Sequence, residues 1–208
     1  MNKKPRQLKS RSGAANMALV KAASDGNLQI NLATLTTPPQ TYDADLAWAR
    51  LRRGAVSVFF AKLDDENPER LRSRLEIRYP VEAFIEHLWA NSREFHTGLR
   101  EWVSTSSLTE HDDPSMVQAT AEKSTSVWAN FEYIARAGSQ GAIEFFHLSP
   151  AAAARLAAGV REVAVEPIVR VLMTAVDLCR FLDSIQPLVE KLGASQTAEN
   201  PAPLEEGS

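Results

Sequence analysis

The chain has 208 residues, 44% of them apolar and 24% charged, which is the composition of a soluble globular protein with one good-sized core or two small ones. The net charge of −3 hides an asymmetry, because residues 1–24 contain six basic residues and no acidic ones, so that subtracting +6 leaves −9 on the remainder. A single cysteine excludes an intramolecular disulfide and favours a reducing cytoplasm, and no apolar run approaches the roughly 20 residues of a membrane-spanning helix.

The N-terminal region is expected to be a disordered basic arm over residues 1–26, with at most a short helix around residues 14–23. Its longest apolar stretch is too short for a secretory signal and is interrupted by Lys21, so export is not predicted. An arm of this kind is usually a solvated tail, and in a minority of proteins it contacts nucleic acid, anionic lipid or an acidic partner.

Strands are predicted from residue 27 onward. Apolar and polar residues alternate over residues 27–32, which is the period of a half-buried strand, and Pro38-Pro39 ends it. Residues 42–51 and 55–61 then predict a hairpin, with Gly54 in its turn.

A two-faced strand and a long helix complete the first unit, residues 27–104. Apolar or small residues point one way and charged residues the other: Leu71, Ser73, Leu75, Ile77 and Tyr79 against Arg70, Arg72, Arg74, Glu76 and Arg78. Pro80 suits a first helical turn, where an N–H is not needed. Apolar residues then recur at three- and four-residue steps as far as Val103, which predicts an amphipathic helix.

The second unit, residues 127–192, is predicted to follow a linker over residues 105–126. Strands at 127–137 and 142–148 lead to Ser149-Pro150, a good helix start, and that helix is expected to continue to Val163. A further helix is expected to begin at Glu166-Pro167 and to be apolar on nearly all sides over residues 168–185, which requires burial. Residues 193–208 are predicted to be a disordered acidic tail.

The two units share a sequence pattern. Trp48-Ala49-Arg50-Leu51 and the glycine-led apolar run after it return as Trp128-Ala129-Asn130-Phe131 and a second such run, and each is followed by a helix-opening proline. The expected fold is therefore α+β, with two strand-strand-helix repeats, antiparallel sheet, long amphipathic helices and an apolar C-terminal helix. Repetition of this kind is more typical of binding and assembly scaffolds than of one chemistry.

Residues 127–163 resemble a small bacterial strand-strand-helix domain family of uncharacterised function. The resemblance rests on Trp128-Ala129-Asn130-Phe131 and on Leu148-Ser149-Pro150, because that family pairs a strand opening in aromatic-Ala-Asn with a helix opening in Ser-Pro. Residues 42–103 match more loosely, with Arg50 in place of the asparagine and Tyr79-Pro80 in place of Ser-Pro. The resemblance implies a compact module and carries over no catalytic residue.

The sequence predicts no enzyme, cofactor or metal. No histidine lies three or four residues from another histidine or from the cysteine, and no glycine-rich phosphate loop is present; the histidines are His87, His96, His111 and His147. Cys179 lies in an apolar setting typical of a small core residue. The paired acids Asp64-Asp65 and Asp112-Asp113 fall in polar loops, where a raised pKa is not expected.

Seven arginines are the candidate binding residues. We expect them to cluster on one side of a sheet, where guanidinium groups would hold nucleic-acid phosphates or an acidic peptide; they are Arg50, Arg52, Arg53, Arg70, Arg72, Arg74 and Arg78. The simpler alternative, which we weigh more heavily, is a solvated strand face balanced by Glu76, Asp43 and Asp45.

Two functional hypotheses follow. The first is a non-enzymatic interaction or assembly protein that forms homo-oligomers or binds a protein partner through apolar residues of its last helix, namely Ile168, Val171, Leu172, Ala175, Val176, Cys179 and Leu182. The second is a nucleic-acid-associated protein whose arginine face and basic arm contact phosphates. No membrane partner is predicted.

Overall fold

The structure is a computed structural model that describes residues 16–22, 28–35, 39–52, 54–67, 70–106 and 121–199. Ten strands lie in these ranges: β1 Ala18–Ala22, β2 Leu28–Asn31, β3 Thr41–Asp43, β4 Leu46–Arg52, β5 Ala55–Leu63, β6 Leu71–Pro80, β7 Ala121–Trp128, β8 Phe131–Ala137, β9 Gln140–His147 and β10 Glu162–Thr174. The helices are α1 Val81–Ala83, a π-helical segment Phe84–Trp89, α2 Ala90–Thr105, α3 Pro150–Ala157 and α4 Ala175–Glu199, with a 3-10 turn at Leu32–Thr34. The mixed α+β class is confirmed.

The strands form two sheets. The four-stranded sheet has the order β4-β5-β6-β7, antiparallel except for the parallel pair β6–β7. The six-stranded sheet has the order β2-β1-β10-β9-β8, and the short strand β3 pairs in parallel with β10. Because β10 is 13 residues long, its first part pairs with β1 and its second part with β3, while β9 occupies its other edge.

The inner faces of both sheets share one core with the helices. The ring of Phe60 from β5 lies 5.6 Å from that of Phe145 in β9 and 5.7 Å from that of Phe181 in α4. Tyr79 of β6 lies 6.2 Å from both Phe84 and Phe145. These aromatic contacts join the two sheets and α4 into a single apolar cluster.

The chain changes sheet at two corners. Ala44 N–H donates to Leu172 O of the six-stranded sheet, and Asp45 N–H donates to Ala61 O of the four-stranded sheet. At the second corner Ala129 N–H donates to Arg78 O and Asn130 N–H to Phe146 O. The predicted single strands 42–51 and 127–137 are therefore each divided, because their two halves pair with different sheets.

Several local predictions are confirmed. Gly54 forms the β4–β5 turn at φ 78°, and β6 alternates buried and exposed side chains as its sequence predicts. The helix begins directly after Pro80 and buries Phe84, Leu88 and Leu99. Ser149 caps α3 by accepting a hydrogen bond from Ala152 N–H.

The helix predicted over residues 168–185 is wrong in its first part. Residues 168–174 belong to β10, and α4 begins at Ala175. The segment lies between β3 and β9, where buried residues (Val169, Val171 and Met173) alternate with partly buried ones (Ile168, Arg170 and Leu172). Because both sets are mostly apolar, the run resembles a buried helix in sequence. The helix expected to run to Val163 ends at Ala157 for the same reason, since Val163 is in β10.

Three disorder and linker predictions also need correction. The arm predicted over residues 1–26 contains β1, which pairs with β2 and β10 and buries Ala18 and Val20. The linker predicted over 105–126 contains the first residues of β7, and the tail predicted over 193–208 contains the end of α4. Strands β1 and β7 are each ordered by pairing with a strand distant in sequence. Within those three ranges, residues 1–15, 23–26, 107–120 and 200–208 lie outside the described residues.

The two units differ in topology. In the first unit, a third strand, β6, follows the β4–β5 hairpin and ends at Pro80. In the second unit, no third strand lies between the β8–β9 hairpin and α3, and only Leu148 and Ser149 separate β9 from Pro150. Their duplication therefore stays a prediction. No helix among the described residues is long and apolar enough to cross a membrane.

Candidate anion-binding face

The four-stranded sheet has an apolar inner face and a basic outer face. On β6, Leu75, Ile77 and Tyr79 point into the core, so the residues between them point outward. The pairing register places Arg50 and Arg52 of β4 on that same side. We call the outer-face set Arg50, Arg52, Arg72, Arg74 and Arg78 the arginine face.

One row across the sheet contains the main features of this face. Arg50 of β4 pairs with Ser57 of β5, which pairs with Arg78 of β6, which pairs with Trp128 of β7. Two arginines thus flank a buried serine in the strand register, and Trp128, which is 52% exposed, ends the row. A cleft of about 190 Å³ opens here, lined by Arg52, Ala55, Ser57, Glu76, Arg78 and Trp128.

Glu76 is the acid at the centre of the face. Ser57 Oγ donates to its Oε1 at 2.8 Å, and Arg78 donates from Nε to Oε1 at 3.2 Å and from Nη2 to Oε2 at 3.3 Å. Burial opposes ionisation of Glu76, but hydrogen bonds from Arg78, Ser57 and Ser126 outweigh it and hold the pKa of this carboxyl below its ordinary value. A carboxylate held in this way is a weak base for activating Ser57, so the geometry fits binding better than nucleophilic catalysis.

Aromatic rings lie between the arginines. Trp48 and Phe59 stack with centroids 5.2 Å apart, and the guanidinium carbon of Arg74 lies 5.8 Å from the centroid of the Phe59 ring. The Nε of Arg74 is buried and has no hydrogen-bond partner among the residues that the structure describes. Phe59 is only 5% exposed, so its ring supports Trp48 and Arg74 from below, and Trp128 is the exposed ring that a ligand could contact.

The charge of the face opposes that of the protein. Five arginines face outward with two glutamates, Glu76 and Glu122, which leaves +3 on this surface of a chain whose net charge is −3. Arg72 also forms an exposed ion pair with Asp65 at 3.3 Å, which contributes little in water. Within the described ranges no side-chain partner is found for Arg50 or Arg52, so both are available to a ligand.

The remaining predicted binding residues are less central. Arg70 is exposed immediately before β6, and Arg53 lies outside the described residues. Of the three acids predicted to balance the arginines, Glu76 does so by pairing with Arg78. Asp43 and Asp45 do not, because Asp45 pairs with Lys62 at 2.8 Å and Asp43 belongs to β3 of the other sheet. Ser57 and Trp128 were missed, because only the pairing register brings them beside the arginines.

The predicted oligomer interface needs correction. Five of its seven residues are buried in the chain's own core, namely Val171, Ala175, Val176, Cys179 and Leu182. The other two, Ile168 and Leu172, are partly buried in β10. The five buried residues are covered within one chain and do not form a free surface for a second copy, whereas an interface that includes Ile168 and Leu172 stays a prediction.

A second group of polar side chains lies between α2 and α4. His96 Nε2 and Asp183 Oδ1 are 2.9 Å apart, and Cys179 Sγ lies 4.0 Å from Asp183 Oδ2. Burial lowers the pKa of His96 despite the hydrogen bond to Asp183, and burial together with the charge of Asp183 raises the pKa of the Cys179 thiol. In the sequence, the four-residue spacing of Cys179 and Asp183 could have indicated that their side chains lie on one face of a helix.

A buried pair bridges the two sheets. Tyr79 of β6 donates from its hydroxyl to Glu132 Oε2 of β8 at 3.2 Å, and both residues are buried. Burial raises the pKa of Glu132 to about 8, and it raises the pKa of Tyr79 well above its ordinary value. Glu132 is thus an acid that the core keeps largely protonated at neutral pH.

No protein-family model, no curated protein and no solved structure matches this chain.

Proposed function

We propose that this protein is a non-enzymatic, nucleic-acid-associated protein that binds single-stranded nucleic acid on the arginine face. The observation that carries the proposal is the row Arg50, Ser57, Arg78 and Trp128, in which cations and an exposed indole lie side by side on one sheet. Sheet surfaces that bind single strands combine phosphate-binding cations with aromatic rings on which bases stack.

The exposed indole supports a single strand, because its ring can stack only on a base that is not already stacked in a duplex. A cleft of about 190 Å³ opens beside Trp128, where such a base could lie. The five basic residues that precede β1, namely Lys3, Lys4, Arg6, Lys9 and Arg11, would add sequence-independent phosphate contacts, whereas Lys21 lies in β1 and pairs with Glu162.

The assembly hypothesis has lost its main argument, since most of the apolar residues behind it are accounted for by the chain's own core. The resemblance of residues 127–163 to a bacterial strand-strand-helix family remains a proposal. It favours neither of the two functions, because the function of that family is uncharacterised. A cytoplasmic location also remains a proposal, which rests on the use of one cysteine.

The test is the binding of a fluorescein-labelled single-stranded oligonucleotide as a function of salt, on protein stripped of nucleic acid. If about four arginines contact phosphates, log K should fall with log[salt] with a slope of about −3. The double variant Arg50→Gln/Arg52→Gln should bind about tenfold more weakly and reduce that slope by about 1 to 1.5.

A matched control removes the same charge elsewhere. Arg155→Gln/Arg161→Gln changes two exposed arginines in α3 and the turn after it, and should leave the slope unchanged. Trp128→Ala should cost about tenfold in affinity through lost stacking, whereas Tyr133→Ala, which removes an exposed ring from the other sheet, should cost little. Equal losses for both arginine pairs would mean non-specific attraction and would contradict the proposal.

Light scattering of the same samples separates the two hypotheses. Weak or absent oligonucleotide binding together with a defined oligomer at both low and high salt would favour assembly. A monomer that binds the oligonucleotide and releases it as salt rises is the result that we expect.

A further inference from the structure

The group of polar side chains between α2 and α4 has the geometry of a metal site. His96 projects from α2, and Cys179 and Asp183 project from one face of α4 because they are four residues apart. One ligand atom from each residue lies within 4.8 Å of the other two. Ligands of a tetrahedral ion with bonds of about 2.0 to 2.3 Å are about 3.5 Å apart, so the three atoms need to move only a little to share one ion.

The donor set indicates the class of metal. An imidazole nitrogen, a thiolate sulfur and a carboxylate oxygen are the ligands of zinc and chemically similar transition metals, whereas magnesium and calcium prefer oxygen alone. We propose that His96, Cys179 and Asp183 bind one zinc-type divalent ion, with water at a fourth position. Helices α2 and α4 contribute nothing to the arginine face, so this inference is independent of the proposed nucleic-acid binding.

Two of the three side chains are buried and held in place before any ion binds. His96 is 4% exposed and Cys179 is 5% exposed, while the side chain of Asp183 is 41% exposed. The ring of Trp89 packs edge-on against His96 with centroids 6.1 Å apart and limits its motion. The site is therefore closed by the core on two sides and open at the carboxylate, which provides a path for an ion.

Arg100 occupies the position next to the carboxylate. Its Nε donates to Asp183 Oδ1 at 2.6 Å, and its Nη2 contacts the same oxygen. The second oxygen, Oδ2, faces the sulfur of Cys179. An entering ion would meet Oδ2 and the sulfur first and would displace or repel the guanidinium, which is 53% exposed and free to turn into solvent. Arg100 is thus a competitor for the metal.

Cobalt(II) titration of the full chain tests the site, because a thiolate bound to cobalt has a charge-transfer band in the near ultraviolet. The chain has one cysteine, so such a band can come only from Cys179. We expect one ion per chain, loss of the band in Cys179→Ser, and at least tenfold weaker binding in His96→Gln. Arg100→Gln should bind the ion several-fold more tightly, because it removes the competing cation.

His147→Gln is the matched control, since His147 lies in β9 and should not affect the titration. A thermal readout guards against variants that fail to fold: zinc at 100-fold over its Kd should raise the Tm of the unmodified chain by about 5 to 10 °C and that of Cys179→Ser far less. Absence of the band at stoichiometric cobalt, or binding that is unaffected by both Cys179→Ser and His96→Gln, would overturn the inference. Weaker binding by Arg100→Gln would overturn the competing role of Arg100.

Discussion

The two sheets differ in how many of their faces are covered. The six-stranded sheet buries apolar residues on both sides: Phe145 and Val171 face the main core, whereas Phe146 and Val165 face a smaller cluster beneath α3. The four-stranded sheet turns Val58 and Ile77 to the main core and arginines to the other side. A sheet face without a covering helix is thus left to polar side chains, and this is where a ligand can bind.

The largest expected difference in stability comes from placing an aspartate on the face of each sheet that points away from the main core. Val165→Asp would bury an unpaired carboxylate under α3, and we expect a loss of about 4 kcal/mol or more in the free energy of unfolding. Arg50→Asp lies on the exposed face and should change it by only about 0.5 kcal/mol. Urea denaturation of both variants measures the contrast, and equal losses would refute the difference in coverage.

The bridge between the sheets predicts a pH dependence. The pKa of Glu132 is raised from 4.5 to about 8, so between these pH values the folded chain holds a proton that the unfolded chain has released. The free energy of unfolding should therefore fall as pH rises through this window, by about 1.4 kcal/mol per pH unit from this group, and should become level above about pH 8.

Glu132→Gln keeps the shape of the side chain and removes its ionisation. Its stability relative to the unmodified chain should increase as pH rises from 5 to about 8, as followed by urea denaturation at a series of pH values. Two parallel stability curves would show that Glu132 does not titrate in the folded core.

A smaller effect tests the close packing of α4 on the six-stranded sheet. A Cβ on Gly141 of β9 would lie 2.6 Å from Leu178 Cδ2 and 3.1 Å from Leu178 Cβ. Gly141→Ala should therefore cost about 1 to 3 kcal/mol of stability, measured as a lower Tm. Gly98→Ala in α2 is the control, because nothing lies within 4 Å of its added Cβ and the helix should gain about 0.5 to 1 kcal/mol. If Gly141→Ala were as stable as the unmodified chain, Leu178 of α4 would have to lie further from β9 than the structure shows.

Local features of this chain could be predicted because neighbouring residues determine them. The turn at Gly54, the alternation along β6, the helix after Pro80 and the cap at Ser149 each depend on backbone preferences or on a short repeat of apolar residues. The same rules could not identify β1 and β7 as strands, because these segments are stabilised by partners far along the chain.

The candidate sites divide in the same way. The alternation of charged and apolar residues in β6 was enough to place Arg72, Arg74 and Arg78 on one face. The neighbours Ser57 and Trp128 depend on strand register, and His96 meets Asp183 across 87 residues of sequence.

The sequence by itself determined the α+β class, the ends of several elements and the existence of a basic strand face, since these follow from the periodicity and conformational preferences of adjacent residues. Only the tertiary structure decided that the apolar run after Pro167 begins as a strand, that its residues fill the chain's own core, and that three ligand atoms meet between two helices. The physical reason is that burial and long-range pairing are properties of the whole chain, and a single apolar segment is compatible with a core strand, a core helix or an interface.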